Sequence, residues 1–316
     1  MPRPAAARTP DPARNTRIVD ESASPPRLWM NLGNVGHMRI ALAQMELSAE
    51  PQENLGAAKD VIVRAADAGA DLVVFPEATM KAFNTGRLDT VAEPLDGPFA
   101  TAVRAAAADA GVTVVLGMFR PADVVERDGK ELQRVHNTLL ATGPDVDAHY
   151  DKIRLFDAFG FRESDTVAPG SELVVIDVPV GSGEVRRTVR VGLATCFDIR
   201  FPEQFVELAQ RGAEVIVLPA SWNDGPGKVR QWETLVSARA MDSTCFIAAV
   251  DAARPGGPAK AGKPEGPVGV GHSILASPDG EVVAQAGFAP QLLIADIDLD
   301  EVPRLRKTIP VLEIRK

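Results

Sequence analysis

Cysteine, histidine and tyrosine are scarce in this 316-residue chain, which has two, four and one of them respectively. Cys196 and Cys245 are too few for the disulfide framework of a small secreted domain, so a reducing cytoplasm is the expected setting. The histidines, His37, His136, His149 and His272, stand at no metal-ligand spacing, and no Cys-x-x-Cys pair offers a zinc site, so no metal is expected. Basic residues are outnumbered, 34 against 43 acidic ones, for a net charge of −9. Nothing supplies the basic face that replaces phosphate counterions, which argues against a nucleic-acid partner. No apolar run approaches the ~20 residues that cross a bilayer. The N-terminal MPRPAAARTPDPARN lacks the apolar stretch of a secretory signal, so no membrane partner is expected.

What is there is the composition of a globular domain: 45% hydrophobic and 24% charged residues. Residues 1–37 carry Pro, Arg, Ala and Ser without a sustained period and are predicted to be a disordered tail. Met38 directly precedes the first apolar run and is an alternative start. From residue 38 to 316 we expect one domain. Short apolar runs such as RIALAQ (39–44), DLVVF (71–75), VTVVLGMF (112–119) and EVIVLP (214–219) alternate with amphipathic stretches such as 51–68, 202–211 and 228–242. That alternation predicts an α/β fold with helices layered over sheets. The stretches ADAGADLVVF and AQRGAEVIVL look alike, which fits a repeat or the ordinary grammar of a helix-to-strand turn. Residues 251–271 form a Gly/Pro-rich stretch, expected to be a lid or disordered surface.

Cys196 ends an apolar strand and precedes a helix that begins near Pro202. A helix N-terminus favours a thiolate, and Asp198, Arg200 and Glu203 crowd a segment that would otherwise be core. Cys245, inside TCFIAAV, reads as a buried structural cysteine. A catalytic thiol needs a base. No histidine carries the local pattern of a Cys-His protease, which turns attention to carboxylates. Glu77, in FPEAT, follows a strand that Pro76 stops. Lys152 ends another extended segment. Taken singly, each is more readily a surface residue.

The order FPEAT, YDKIRLFDAFGFRESDTVAPG, GLATCFDIRFPE, with GHSILASPDGEV and IDLDEVPRLRKTIPV after it, resembles the nitrilase superfamily of carbon-nitrogen hydrolases over nearly the whole folded chain. The resemblance implies a single-domain, four-layer α-β-β-α sandwich and a Glu-Lys-Cys triad that matches Glu77, Lys152 and Cys196. A second family glutamate matches Glu163. It also implies a homodimer or higher homo-oligomer, and chemistry that needs no cofactor. On this reading Glu77 takes the proton of Cys196, whose sulfur attacks a small-molecule amide. Lys152 and the Phe197 N–H stabilise the oxyanion, ammonia leaves, and water guided by Glu77 and Glu163 releases the acid from a thioester. Ser221, Trp222 and Asn223 are expected to line the pocket. CFDIRFPE, the E-S context and GHS are similar to the omega-amidase and deaminated glutathione amidase branch, although the family often has Tyr where Phe197 stands. N-carbamoyl amide cleavage, nitrile hydrolysis and a catalytically silent dimeric binding protein are the alternatives.

Overall fold

The computed structural model describes residues 36–127, 129–158, 160–182, 185–257 and 267–314. Residues 1–35 of the expected tail, and 258–266 of the Gly/Pro-rich stretch, lie outside the described residues.

The first half of the chain forms β1 (His37–Gln44), α1 (Pro51–Asp67), β2 (Leu72–Val74), α2 (Pro98–Ala110), β3 (Thr113–Arg127), β4 (Lys130–Gly143) and β5 (Val146–Asp151). A small hairpin follows, β6 (Asp157–Ala158) with β7 (Phe161–Arg162). The second half forms β8 (Val175–Ser182), β9 (Val185–Leu193), α3 (Pro202–Gln210), β10 (Val215–Ala220), α4 (Lys228–Ser243), β11 (Phe246–Asp251), β12 (Ile274–Ala276) and β13 (Val282–Gln285). β14 (Gln291–Asp298), α5 (Glu301–Thr308) and α6 (Val311–Ile314) close the chain. One six-stranded sheet has the order β14-β1-β2-β3-β4-β5, the other β13-β12-β11-β10-β9-β8.

The periodicity of the helices explains the layering. In α1 the buried residues Leu55, Ala58, Ile62 and Ala65 recur three and four apart, one apolar stripe. That stripe packs with α2 residues Phe99 and Val103 against Val73, Val114 and Leu116 of the first sheet. Trp232, Val236 and Ala240 of α4 do the same against Ile216, Leu218 and Ile247 of the second. A third core joins the sheets' inner faces, with Ile40, Leu72 and Leu139 on one side and Val191, Val217 and Phe246 on the other. Three cores between four layers make the α-β-β-α sandwich. Among the described residues, no helix is long and apolar enough to cross a membrane.

The look-alike stretches occupy corresponding places. Each leads from a helix (α1, α3) through a left-handed glycine, Gly69 or Gly212, into the strand flanked by two parallel neighbours, β2 or β10. Two expectations need correction. The first strand begins at His37, inside the expected tail, because its backbone pairs with Asp298 of β14, and Met38 is fully buried. The strand read over 112–119 continues to Arg127, past a register shift at Pro121/Val124. That extension is mostly exposed or half-buried, so apolar patterning did not reveal it.

Glycine at 117 lets β3 run close behind the segment carrying Glu77. A Cβ there would lie 2.4 Å from the Ala78 nitrogen and 2.9 Å from Glu77 Cα. Gly117→Ala is therefore expected to destabilise the fold by about 1–3 kcal/mol through overpacking and to impair any activity that depends on Glu77. Gly56→Ala in α1, where a Cβ meets nothing within 4 Å, should stabilise it by about 0.5–1 kcal/mol. Thermal melts of the two variants check the opposite signs.

Candidate active site

Glu77, Lys152 and Cys196 each follow the last residues of a different strand: β2, β5 and β9. Pro76 ends the extended run, Ala78 adopts a left-handed φ of 57°, and Glu77 between them is buried. The Lys152 N–H donates to the Asn137 carbonyl of β4 at 2.9 Å, which continues the β4–β5 pairing by one bond. Cys196 opens a 3-10 turn, Cys196–Arg200, with its own φ at 44°. A left-handed backbone is unfavourable for a residue with a side chain and is held only where the surroundings impose it. Here the Thr195 N–H donates to Asp198 Oδ2 at 2.8 Å and the Asp198 N–H donates to the Thr195 carbonyl at 3.0 Å, which clamps the start of the turn.

The three side chains meet in the interior. Lys152 Nζ donates to Glu77 Oε1 at 2.9 Å and to Glu163 Oε1 and Oε2 at 3.0 Å each. All three charged groups are buried. Asn137 Nδ2 donates to Glu77 Oε1 at 2.7 Å and reaches Glu163 Oε1 at 3.4 Å. The Ser221 N–H donates to Glu77 Oε2 at 2.9 Å, and Ser221 Oγ donates to the Glu77 carbonyl at 3.1 Å. The Phe156 N–H donates to Glu163 Oε2 at 2.6 Å. Cys196 lines the same cavity as Glu77 and Ser221, and both bear on its thiol.

Burial draws the Lys152 ammonium toward deprotonation, but the charges of Glu163 and Glu77 outweigh it and hold the group well above the usual lysine range. The thiol is also shifted upward, which for a cysteine favours the neutral form. Burial first, then the Glu77 charge, raise Cys196 well above an ordinary cysteine, against the pull of Lys152 and the Ser221 N–H. The resting nucleophile is thus a thiol beside a base. The helix expected near Pro202 is present as α3, and the 3-10 turn Cys196–Arg200 separates its N-terminus from the thiol along the chain.

Glu77, Lys152, Glu163, Cys196, Phe197, Ser221, Trp222 and Asn223, the residues singled out from the sequence, all line one cavity of about 190 Å3. That is smaller than the ~300–1,000 Å3 of pockets for drug-sized ligands. Phe83, Phe156 and Phe161 add apolar walls, and Arg200 and Lys228 add charge. The Phe197 N–H, in the first turn of the 3-10 segment, donates to no acceptor among the described residues. Trp222 is held by its own N–H, which donates to Asp251 Oδ1 at 2.7 Å. Burial pushes the Asp251 carboxyl up to about 8, against the pull of the Trp222 and Val270 N–H donors.

Sequence reasoning missed Asn137, Arg200 as a wall residue, Lys228 and Asp251. Asn137 and Asp251 carry a local signal, a polar side chain within or at the end of an otherwise apolar strand. Arg200 and Lys228 carry none, since their convergence is tertiary. The Arg200 guanidinium lies 5.2 Å from the Trp222 ring centre and Lys228 Nζ lies 5.9 Å from it. Burial and the nearby Arg200 charge lower the Lys228 ammonium below its usual range.

The carbon-nitrogen hydrolase family model matches residues 39–307. A protein named as a hydrolase in Mycobacterium tuberculosis H37Rv is 51% identical over 282 residues, covering 87% of this chain and 94% of that protein. Omega-amidase NIT2 of Bos taurus is 32% identical, covering 86% of this chain and 93% of its own length. The crystal structure of Saccharomyces cerevisiae Nit3, of the nitrilase superfamily, superposes with a TM-score of 0.71 at 25% identity, covering 89% of this chain and 97% of that one.

Removing the cation should expose how strongly the site depends on it. Lys152→Met leaves two buried carboxylates facing each other and is expected to destabilise the protein by about 3–5 kcal/mol. Denaturant midpoints at neutral pH check this, and an unchanged midpoint would mean that the ion cluster is not buried as described.

Proposed function

This chain belongs to the carbon-nitrogen hydrolase family of the nitrilase superfamily, and from that premise we propose that it is a cysteine-dependent amidase acting on a small linear amide. The observation that carries the reading is the buried contact of Lys152 with Glu77 and Glu163, with Cys196 on the wall of the same cavity.

The chemistry follows from which atoms are engaged. Glu77 Oε1 is taken by two side-chain donors, Lys152 and Asn137, whereas Oε2 meets one backbone N–H. Oε2 is the more available base. It takes the thiol proton as Cys196 sulfur bonds to the amide carbon, and the carbonyl electron pair moves onto oxygen. Lys152 and the Phe197 N–H stabilise that oxyanion; losing one such donor costs about 10²–10³ in rate. The oxyanion collapses, the carbon–nitrogen bond breaks, and Glu77 returns the proton so that ammonia leaves and a thioester remains. Water then attacks the thioester carbon, with Glu77 accepting its proton and Glu163 helping to orient it. The acid departs and the sulfur is reprotonated. Acid–base assistance of this kind contributes about 10²–10⁴.

The substrate we propose is of the omega-amidase type, a terminal amide with a carboxylate at the far end. The described cavity lining has three cations, Lys152, Arg200 and Lys228, against two carboxylates, Glu77 and Glu163. A cavity biased positive within a chain of net charge −9 favours an anionic ligand. Arg200 and Lys228, both beside the Trp222 ring, are the cations that would meet the far carboxylate.

Ammonia release from succinamate and alpha-ketoglutaramate, absent in Cys196→Ala, is the expected result. Release from nitriles, or carbon dioxide from carbamoyl amino acids, would replace this reading with another. Arg200→Gln is expected to raise KM for succinamate about 10–100-fold, as for a lost hydrogen bond to a charged group, with a smaller change in kcat.

A further inference from the structure

Linked to the backbone beside both Lys152 and Cys196 is a further buried carboxyl that the chemistry above does not use. Asp198 is fully buried. Its Oδ2 accepts the Tyr150 hydroxyl at 2.6 Å and the Thr195 N–H at 2.8 Å, and its Oδ1 accepts the Arg154 N–H at 3.0 Å. Tyr150, also fully buried, accepts the Ile153 N–H at 3.2 Å and Gln204 Nε2 at 2.9 Å on its own oxygen. These bonds have a pattern. Ile153 and Arg154 directly follow Lys152, and Thr195 directly precedes Cys196. The two segments come from different sheets, β5 in one and β9 in the other, and beside the site they are tied through this carboxyl and this phenol.

We propose that Asp198 and Tyr150 are positioning residues that hold the Lys152 ammonium in register with the Cys196 thiol, and that the ionised carboxylate of Asp198 keeps this register. The inference rests on the amidase reading for its kinetic consequences, and on the hydrogen bonds alone for its structural ones. The carboxylate accepts three donors at once. A proton on either oxygen introduces a fourth donor into a buried space already supplied with three, and one of the backbone N–H bonds is expected to lengthen. The charged and titratable groups facing Asp198 are Tyr150 on β5 and Lys152 just beyond it. The described residue that α3 contributes to the network is neutral Gln204.

Burial is the main influence on this carboxyl and pushes it up to about 6, with the Tyr150 hydroxyl and the Thr195 N–H pulling it down. The sign matters. A carboxyl raised above its unfolded value of ~3.9 is held protonated more tightly by the fold than by the unfolded chain, so taking up the proton near pH 6 does not by itself unfold the protein. What is lost as pH falls through about 6 is register, and with it turnover.

The chain's single tyrosine makes this measurable. Full-length protein carrying 3-fluorotyrosine should give one fluorine resonance, which titrates with a midpoint near that of the acid limb of kcat. Asp198→Asn is expected to lower kcat about ten-fold or more, in line with a lost hydrogen bond to a charged group, and to abolish that limb. Tyr150→Phe, which removes a donor that favours the ionised form, should move the limb to higher pH. KM is expected to change little in either variant. An Asp198→Asn enzyme with the wild-type acid limb, or a fluorine resonance that does not move between pH 5 and 8, would overturn the proposal. Should either variant fail to fold, the fluorine titration of otherwise unaltered protein decides alone. Should that protein cleave no amide, the amidase reading fails, and the pH dependence of Cys196 alkylation by iodoacetamide, compared with the fluorine midpoint, still judges the role of Asp198.

Discussion

One buried ammonium, Lys152, sits against two buried carboxylates, and the rest of the site is arranged around that contact. Two carboxylates this close repel each other and resist ionising together. Lys152 makes their proximity tolerable and is in turn kept charged by them, although burial opposes it. Neither side of the contact could stand alone in the interior, where the desolvation of an unpaired ion costs several kcal/mol. The price of assembling such a cluster is borne by three hydrophobic cores, two under the helices and one between the sheets.

The sandwich explains why residues so distant in sequence converge. Glu77 follows β2 and Lys152 follows β5 in one sheet, whereas Cys196 follows β9 and Ser221 follows β10 in the other. Parallel strands bring their C-terminal ends to one edge, and packing the two sheets face to face sets those edges opposite each other. Polar side chains at that edge then link the pieces. Asn137 bridges the two glutamates, and Asp251 holds the Trp222 wall. Each is a short side chain on or at the end of a strand, so its geometry is set by backbone already fixed in a sheet.

Much of this was legible in the sequence because the relevant signals are local. Pro76 stops an apolar run one residue before Glu77, and Cys196 stands just beyond another strand ending. The alternation of apolar runs and amphipathic helices marked the layered α/β fold. What was not legible depends on partners far along the chain. His37 belongs to β1 because Asp298 pairs with it, and no residue near His37 signals that. The outer half of the β3–β4 hairpin reads as a polar loop, since its residues are exposed and its ladder is made by backbone groups that every sequence has. The surroundings of the Cys196 thiol escaped for a related reason. A helix N-terminus can be guessed from a nearby proline, but the charge of Glu77 enters only through folding. Arg200 and Lys228 likewise look like surface cations until the chain places both beside Trp222.

The account stands or falls on a covalent bond to one sulfur. Protein quenched in acid during steady turnover of succinamate, digested and weighed by mass spectrometry, is expected to carry a succinyl group on the peptide that contains Cys196 and nowhere else. Undiminished turnover by Cys196→Ala, or a succinyl group found on another residue while Cys196 stays free, would contradict it.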